Sequence, residues 1–413
     1  MTVESELRAA DVVTLDDVLE AAGRIRGHVP HTHSERSRTL SEITGTDLVL
    51  KFENLQFTAS FKDRGAANRL LTLTEDERRM GVIAASAGNH AQAVAHHGGR
   101  MDIATTIVMP ETAPFSKVTH TRQLGAEVRI AGETVSESVD VARRIAGEEG
   151  LTYVPPYDDP RIIAGQGTCG LELALDHPDL DAVVIPIGGG GLAAGMATAL
   201  KALLPGIEVV GVQTEAYPAM AAALRGEPLP AFTAETLADG IAVKTPGRYT
   251  TPVLAEHLDH MILVDERSLE HAVALLVEVE KTVAEGSGAA ALAAVLTEPE
   301  RFLGRRVAVV VSGGNIDTRV LASVLLRELV RDRRMVTLGI TIKDRPGQLA
   351  PVIDRLAEQG ANVVEVSHSR LFDPASVRQT FIEVQIETRD GHHTDQVVAA
   401  LRADGLEVRE MSG

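Results

Sequence analysis

Lys62 stands in the segment Ser60-Phe61-Lys62-Asp63-Arg64-Gly65, just ahead of an Ala/Leu-rich helical run. An amine in that position can form an imine with an aldehyde, provided its surroundings lower its pKa. Lysines are ordinarily solvated surface charges, so the residue alone means little. Three glycine-bearing turns downstream, each at a strand end or a strand–helix junction, change its reading.

The first turn, Ser86-Ala87-Gly88-Asn89-His90, follows the β-like run Val82–Ala85 and opens a helix expected over Ala91–Gly98. A helix N-terminus presents unpaired N–H groups and partial positive charge, which suits a carboxylate or phosphate. An ordinary capped turn is the plain alternative. The second, Gly188-Gly189-Gly190-Gly191-Leu192, lies between a strand over Ala182–Ile187 and a helix over Leu192–Leu204. Four consecutive glycines let the backbone wrap an anion with its amides. The loop lacks the Gly-Lys-Ser/Thr ending of a nucleotide P-loop. It does satisfy G-x-G-x-x-A through Gly188, Gly190 and Ala193, with Glu215 after the next strand, so a dinucleotide reading stays open. The third, Ser312-Gly313-Gly314-Asn315, follows Val307–Val311 and offers a neutral hydroxyl to a heterocyclic nitrogen.

Taken together, the lysine and the three turns meet the needs of pyridoxal phosphate. Lys62 would carry the imine, Gly188–Gly191 the phosphate, Asn89 the ring hydroxyl and Ser312 the pyridine nitrogen. The amides of Ser86, Ala87, Gly88, Asn89 and His90 would hold a substrate carboxylate. A dinucleotide leaves Lys62 and the first turn without a task.

Short β-branched runs alternate with helical stretches through most of the 413 residues, including Val82–Ala85, Asp102–Met109, Glu127–Ile130, Glu208–Gln213 and Val307–Ser312. That alternation predicts an α/β architecture around parallel sheets. The charged stretch Arg331–Arg334 reads as a linker. It separates residues 1–330 from 335–413, where the order becomes βαββαβ: strand Met335–Ile342, helix Gln348–Gln359, strands Asn362–Leu371 and Gln379–Glu387 around Phe372-Asp373-Pro374, helix His393–Ala403, strand Leu406–Glu410. This is the order of a ferredoxin-like module.

A formal net charge of −18 argues against nucleic acid or an anionic membrane as partner. The single cysteine, Cys169, permits no intrachain disulfide, which fits a reducing cytoplasm. The acidic N-terminus lacks the apolar core of a signal peptide, and no apolar run approaches bilayer length. The expected setting is cytoplasmic. His28, His31 and His33 lack the accompanying ligands of a zinc site, and Cys169 reads as a small buried apolar residue.

The ordered motifs Lys51-Phe52-Glu53-Asn54-Leu55-Gln56, the Lys62 segment, Ser86–Gln92, Gly188–Leu192 and Ser312–Asn315 resemble the threonine dehydratase (threonine ammonia-lyase) family of fold type II pyridoxal-phosphate enzymes. The resemblance spans Leu15 to Leu329. It implies a tryptophan synthase β-like catalytic unit of two parallel-sheet subdomains, the smaller at roughly 55–155. It places the cofactor lysine on Lys62 with Phe61 beside it, the ring-hydroxyl partner on Asn89, the phosphate loop on Gly188, Gly189, Gly190, Gly191 and Leu192, and the pyridine-nitrogen partner on Ser312. Residues 335–413 resemble an ACT domain, an amino-acid-sensing unit.

The implied reaction is deaminating dehydration of L-threonine to 2-oxobutanoate, as in isoleucine biosynthesis, with L-serine to pyruvate as a side activity. The implied effector is isoleucine or valine, and the implied assembly a dimer or tetramer. Serine dehydration or racemisation, hydroxyaspartate dehydration, threonine synthesis and a catalytically dead sensor are the alternatives. Two departures stand out: Ala59 occupies a usual glycine, and Asp63 is shared with threonine synthases. Racemases of this group have a serine as second base where Ala87 stands. Some relatives also bind a divalent cation after the strand ending near Glu215, but Ala221 replaces the needed aspartate, so no metal is expected.

Overall fold

The computed structural model describes residues 7–232, 234–369 and 379–411. It divides into two compact units, Met1–Ile316 and Asp317–Gly413. Among the described residues the strands form three sheets.

The largest sheet has six strands, in the order Ser34–Arg36, Asp47–Phe52, Arg306–Val311, Ala182–Pro186, Glu208–Thr214 and His260–Val264. All neighbours are parallel except the first pair. Its central strands are nearly continuous Val/Ile/Ala runs, buried throughout except at Arg306, as expected when helices cover both faces. Val311 lies opposite Phe52 and Val309 opposite Val184. Three neighbouring strands therefore deliver, from their carboxyl ends, the chain leading to Lys62, the Ser312 turn and the glycine loop.

The second sheet is four-stranded and parallel, in the order Glu127–Ile130, Thr105–Met109, Val82–Ala85, Thr152–Tyr153. Its order reverses at Val82–Ala85, the strand that leads into Ser86–His90. Ligand crevices in open parallel sheets lie at such reversals, beyond the carboxyl ends. The strand expected from Asp102 begins instead at Thr105. Asp102 takes φ +53, a left-handed turn that extended backbone cannot include.

The third sheet, in the second unit, is antiparallel: Asn362–Ser369, Gln379–Glu387, Met335–Lys343, Glu407–Met411. With helices Leu349–Glu358 and Gly391–Ala403 it gives the βαββαβ order around a core including Leu338, Ile340, Val384 and Leu401. The Phe372-Asp373-Pro374 connection lies outside the described residues. The helix Thr318–Arg331 takes in the first residue of the expected linker, and the two compact units divide earlier, at Ile316/Asp317. That helix buries only Val324 and Glu328, so it contributes little to any core, while it runs nearly directly into the strand from Met335.

Candidate active site

Lys62 is the first residue of the helix Lys62–Leu71, not a residue ahead of it. Phe61, the preceding residue, donates its backbone N–H to the carbonyl of Ser312 at 3.1 Å. Asp63 folds back, accepting from Thr58 N at 3.0 Å and Thr58 Oγ1 at 2.7 Å, and so fixes the loop before the lysine. Within that loop Ala59 adopts φ +53, the conformation that favours the glycine usual there.

Behind the lysine helix lies a buried ion cluster. Arg64 meets Glu53 through Nε and Nη2, each at 2.7 Å, and Glu172 through Nη1 and Nη2, each at 2.7 Å. Lys51 Nζ completes it, donating to Glu172 at 2.7 Å and to the Thr32 carbonyl at 2.6 Å. Two cations face two carboxylates. Burial alone would raise the Glu53 carboxyl, but the Arg64 guanidinium overrides it and holds the pKa at about 2. These contacts tie the strand Asp47–Phe52 and the helix Pro160–Asp176 to the base of the lysine.

Lys62 Nζ donates to the Pro156 carbonyl at 2.9 Å. Burial lowers its pKa to about 8, against an upward pull from Glu285. Glu285 itself is buried. Burial, then the charge of Asp239, raises it to about 7, although a hydrogen bond from Asn89 opposes the rise. Asn89 Nδ2 donates to Glu285 Oε1 at 2.7 Å, and Asn89 Oδ1 accepts from Asn315 Nδ2 at 2.6 Å. Ser312 Oγ donates to the carbonyl of Ser287 at 3.2 Å, so its proton is engaged and must rotate to serve a ring nitrogen.

The glycine loop caps the helix Gly191–Leu203, whose first i→i−4 bond is Ala194 N to Gly190 O at 2.8 Å. The amides ahead of that bond have no acceptor within the helix. Gly190 sits at φ +96, and a Cβ there would come within 2.9 Å of Thr250. The ring of Tyr157 lies against Gly189, and a Cβ at Gly191 would approach Tyr157 to 3.1 Å. Since Tyr157 follows Pro156, the segment that anchors Lys62 also borders the glycine loop. A Cβ on Gly188 would meet Ile241 at 3.0 Å, and one on the adjoining Gly240 would lie 3.4 Å from Glu285 Oε1. Loop, lysine and Asn89 are thus linked through shared neighbours, Tyr157 on one side and Glu285 on the other.

In the first turn, Ser86, Ala87, Gly88 and Asn89 are half-buried, and Gly88 caps the helix Asn89–Arg100. Gly88 N donates to Ser86 Oγ at 3.1 Å, which removes one amide from the set expected to face a carboxylate. His90 turns its ring away, its Nε2 2.9 Å from the Val154 carbonyl. Burial first, then the Lys62 charge, lower its pKa to about 3, so the imidazole is neutral. Cys169 is buried and its thiol is pushed far up by burial. His31 is 2.9 Å from Asp176, whereas the His33 ring lies against Phe52.

Glu285 and Pro156 are not singled out in the sequence, and Asn315, named there as the end of the third turn, is given no role. Glu285 had a faint signal, a lone carboxylate leading into the Ala-rich run Gly286–Val295. Pro156 acts through its carbonyl, which no sequence pattern marks.

The family described as pyridoxal-phosphate dependent enzyme matches residues 25–313. An L-threonine ammonia-lyase of Thermotoga maritima is 44% identical over 96% of this chain and 99% of its own length. Among solved structures, the processed threonine deaminase isoform 2 of Solanum lycopersicum aligns with a TM-score of 0.72 and 35% identity, covering 77% of this chain and 87% of that one. Maize serine racemase aligns with the same TM-score at 31% identity, over 78% of this chain and 99% of that one. The chain belongs to the pyridoxal-phosphate dependent enzymes. Within that family its place is among the threonine ammonia-lyases, which are carbon–nitrogen lyases.

Proposed function

We propose that this enzyme converts L-threonine to 2-oxobutanoate and ammonia, and L-serine to pyruvate and ammonia as a side activity. The observation that carries the reading is the convergence of Lys62, its pKa lowered to about 8, with the glycine loop and Ser312 from three adjacent strand ends. The residues fit pyridoxal phosphate. Gly190 holds a conformation and a clearance that a side chain would upset, next to amides free to bind an anion. When bound, the cofactor supplies an electron sink for charge developing at the substrate Cα.

In this reading Lys62 Nζ would hold the cofactor by its aldehyde, and the same amine, once free, would take the substrate Cα proton. The amides of Gly188–Leu192 bind the phosphate and Asn89 Nδ2 donates to the ring oxygen. Ser312 serves the ring nitrogen with a neutral hydroxyl. The remaining amides of Ser86–His90 orient the substrate carboxylate, and neutral His90 adds no charge beside them. The sum is balanced: the β-hydroxyl leaves as water, and a second water releases ammonia from nitrogen-bearing carbon. Racemisation needs an acid on the opposite face, and Ala87 offers none.

The βαββαβ unit is proposed to be an ACT domain that binds isoleucine or valine, in a dimeric or tetrameric enzyme. The Thermotoga relative's match over 96% of this chain supports treating both units as one enzyme. Coupling of about 1–3 kcal/mol would change affinity several-fold to a hundred-fold.

Steady-state assays on threonine, serine and hydroxyaspartate, with and without isoleucine and valine, test the reading. Threonine should have the highest kcat/KM. A preference for serine or hydroxyaspartate would overturn the substrate assignment, and indifference to both effectors would overturn the sensor role.

A further inference from the structure

We infer that Asn315 is a positioning residue which, with Glu285, fixes the Asn89 carboxamide so that its N–H, and not its carbonyl, is presented to the cofactor ring oxygen. The inference rests on the cofactor reading above and deepens it.

A carboxamide has a donor end and an acceptor end of nearly equal shape, so its orientation is set by its partners. Here the partners leave one solution. Asn315 Nδ2 donates to the Thr58 carbonyl at 2.7 Å, and a backbone carbonyl can only accept. That bond fixes which end of Asn315 is nitrogen. The same nitrogen donates to Asn89 Oδ1 at 2.6 Å, which fixes the oxygen of Asn89. Asn89 Nδ2 is then left facing Glu285 Oε1 at 2.7 Å, an acceptor when ionised.

Asn315 therefore donates both to Thr58 and to Asn89, and Asn89 donates onward to Glu285, so every link has one direction only. One hydrogen of Asn89 Nδ2 is spent on Glu285, and the other remains for a ligand. A glycine at 313 is part of the device, because a Cβ there would lie 2.5 Å from Glu285 Oε1 and 3.2 Å from Asn89 Nδ2. Ser287 Oγ donates to the same carboxylate oxygen at 3.3 Å.

The chemistry explains why orientation matters. A ring oxygen that carries negative charge is stabilised by a donor and repelled by a carbonyl, and hydrogen bonds to charged groups are the stronger kind. Flipping Asn89 would exchange one for the other without moving any backbone.

The test compares holoenzyme affinity for pyridoxal phosphate with that for its analogue lacking the ring hydroxyl, in the wild type and in Asn315→Asp. An aspartate keeps the shape but offers only acceptors, so Asn89 should turn its nitrogen toward residue 315. Wild type should favour the hydroxylated cofactor, and Asn315→Asp should reduce that preference about 10-fold. Asn315→Ala, which removes the donor without adding charge, should reduce it less, and it serves if the aspartate variant does not fold. Equal weakening of both compounds would mean that Asn315 is merely structural, which overturns the inference. Failure of hydride reduction to trap an adduct on Lys62 in wild type would instead sink the cofactor reading itself.

Discussion

The Lys62 amine is held 2.9 Å from the carbonyl oxygen of Pro156, on the segment whose next residue, Tyr157, lies against the glycine loop. Lys62 and the glycine loop are therefore registered to each other through one short piece of chain.

A consequence concerns pH. Burial lowers the Lys62 pKa to about 8, so the amine is mostly ammonium below that pH and mostly free above it. Only the free amine attacks an aldehyde. The rate at which pyridoxal phosphate colours the apoprotein should rise with pH, with a midpoint near 8 rather than near the ordinary lysine value of 10.5. Stopped-flow absorbance measures it. Lys62→Ala should abolish both colour and turnover in a protein that stays folded, and substantial remaining turnover would reject the assignment.

Ala59 holds φ +53 in the loop ahead of the lysine. A left-handed alanine costs about 1–2 kcal/mol relative to its favoured conformations, offset in part by the entropy that glycine loses on folding. Ala59→Gly should therefore stabilise the protein by about 0.5–1 kcal/mol. Denaturant unfolding of the apoprotein would show a higher midpoint at unchanged slope.

The ion cluster predicts acid sensitivity. A carboxyl with pKa about 2 in the folded protein and near 4.5 when unfolded contributes stability above pH 4.5, lost as the pH falls toward 2. Glu53→Gln leaves Lys51 and Arg64 with one carboxylate between them, and breaking a buried pair of this kind costs about 3–5 kcal/mol. Thermal melts across pH 2–7 should show a flatter acid limb in the variant. A variant as stable as wild type at pH 7 would contradict the argument.

Ser312 is buried and its hydroxyl donates to the Ser287 carbonyl. A carboxylate there would hold a proton on the ring nitrogen, which prolongs negative charge at Cα. Ser312→Asp should shift the outcome from 2-oxobutanoate toward transamination, read by chromatography of the products. It should also lose stability, since the carboxylate would face a carbonyl oxygen. Unchanged partitioning would refute the role given to Ser312.

Much of this site could be read from sequence because local chemistry leaves local marks. A lysine opening a helix, four glycines between a strand and a helix, and a serine after a Val-rich strand each impose a pattern within ten residues. The apolar periodicity likewise sufficed for the parallel sheets and the βαββαβ order. The strand start that differed fell where a single backbone angle decided, at Asp102.

What the chain alone sufficed to propose, then, is which residues have the right chemistry: Lys62, Asn89, the 188–192 loop and Ser312. Only tertiary structure decided which neighbours tune them. Glu285 reaches Asn89 across 196 positions of sequence, and Asn315 reaches it across 226. A pKa or an amide orientation depends on atoms a few ångströms away, and that proximity exists only after the strands have taken their order in the sheet.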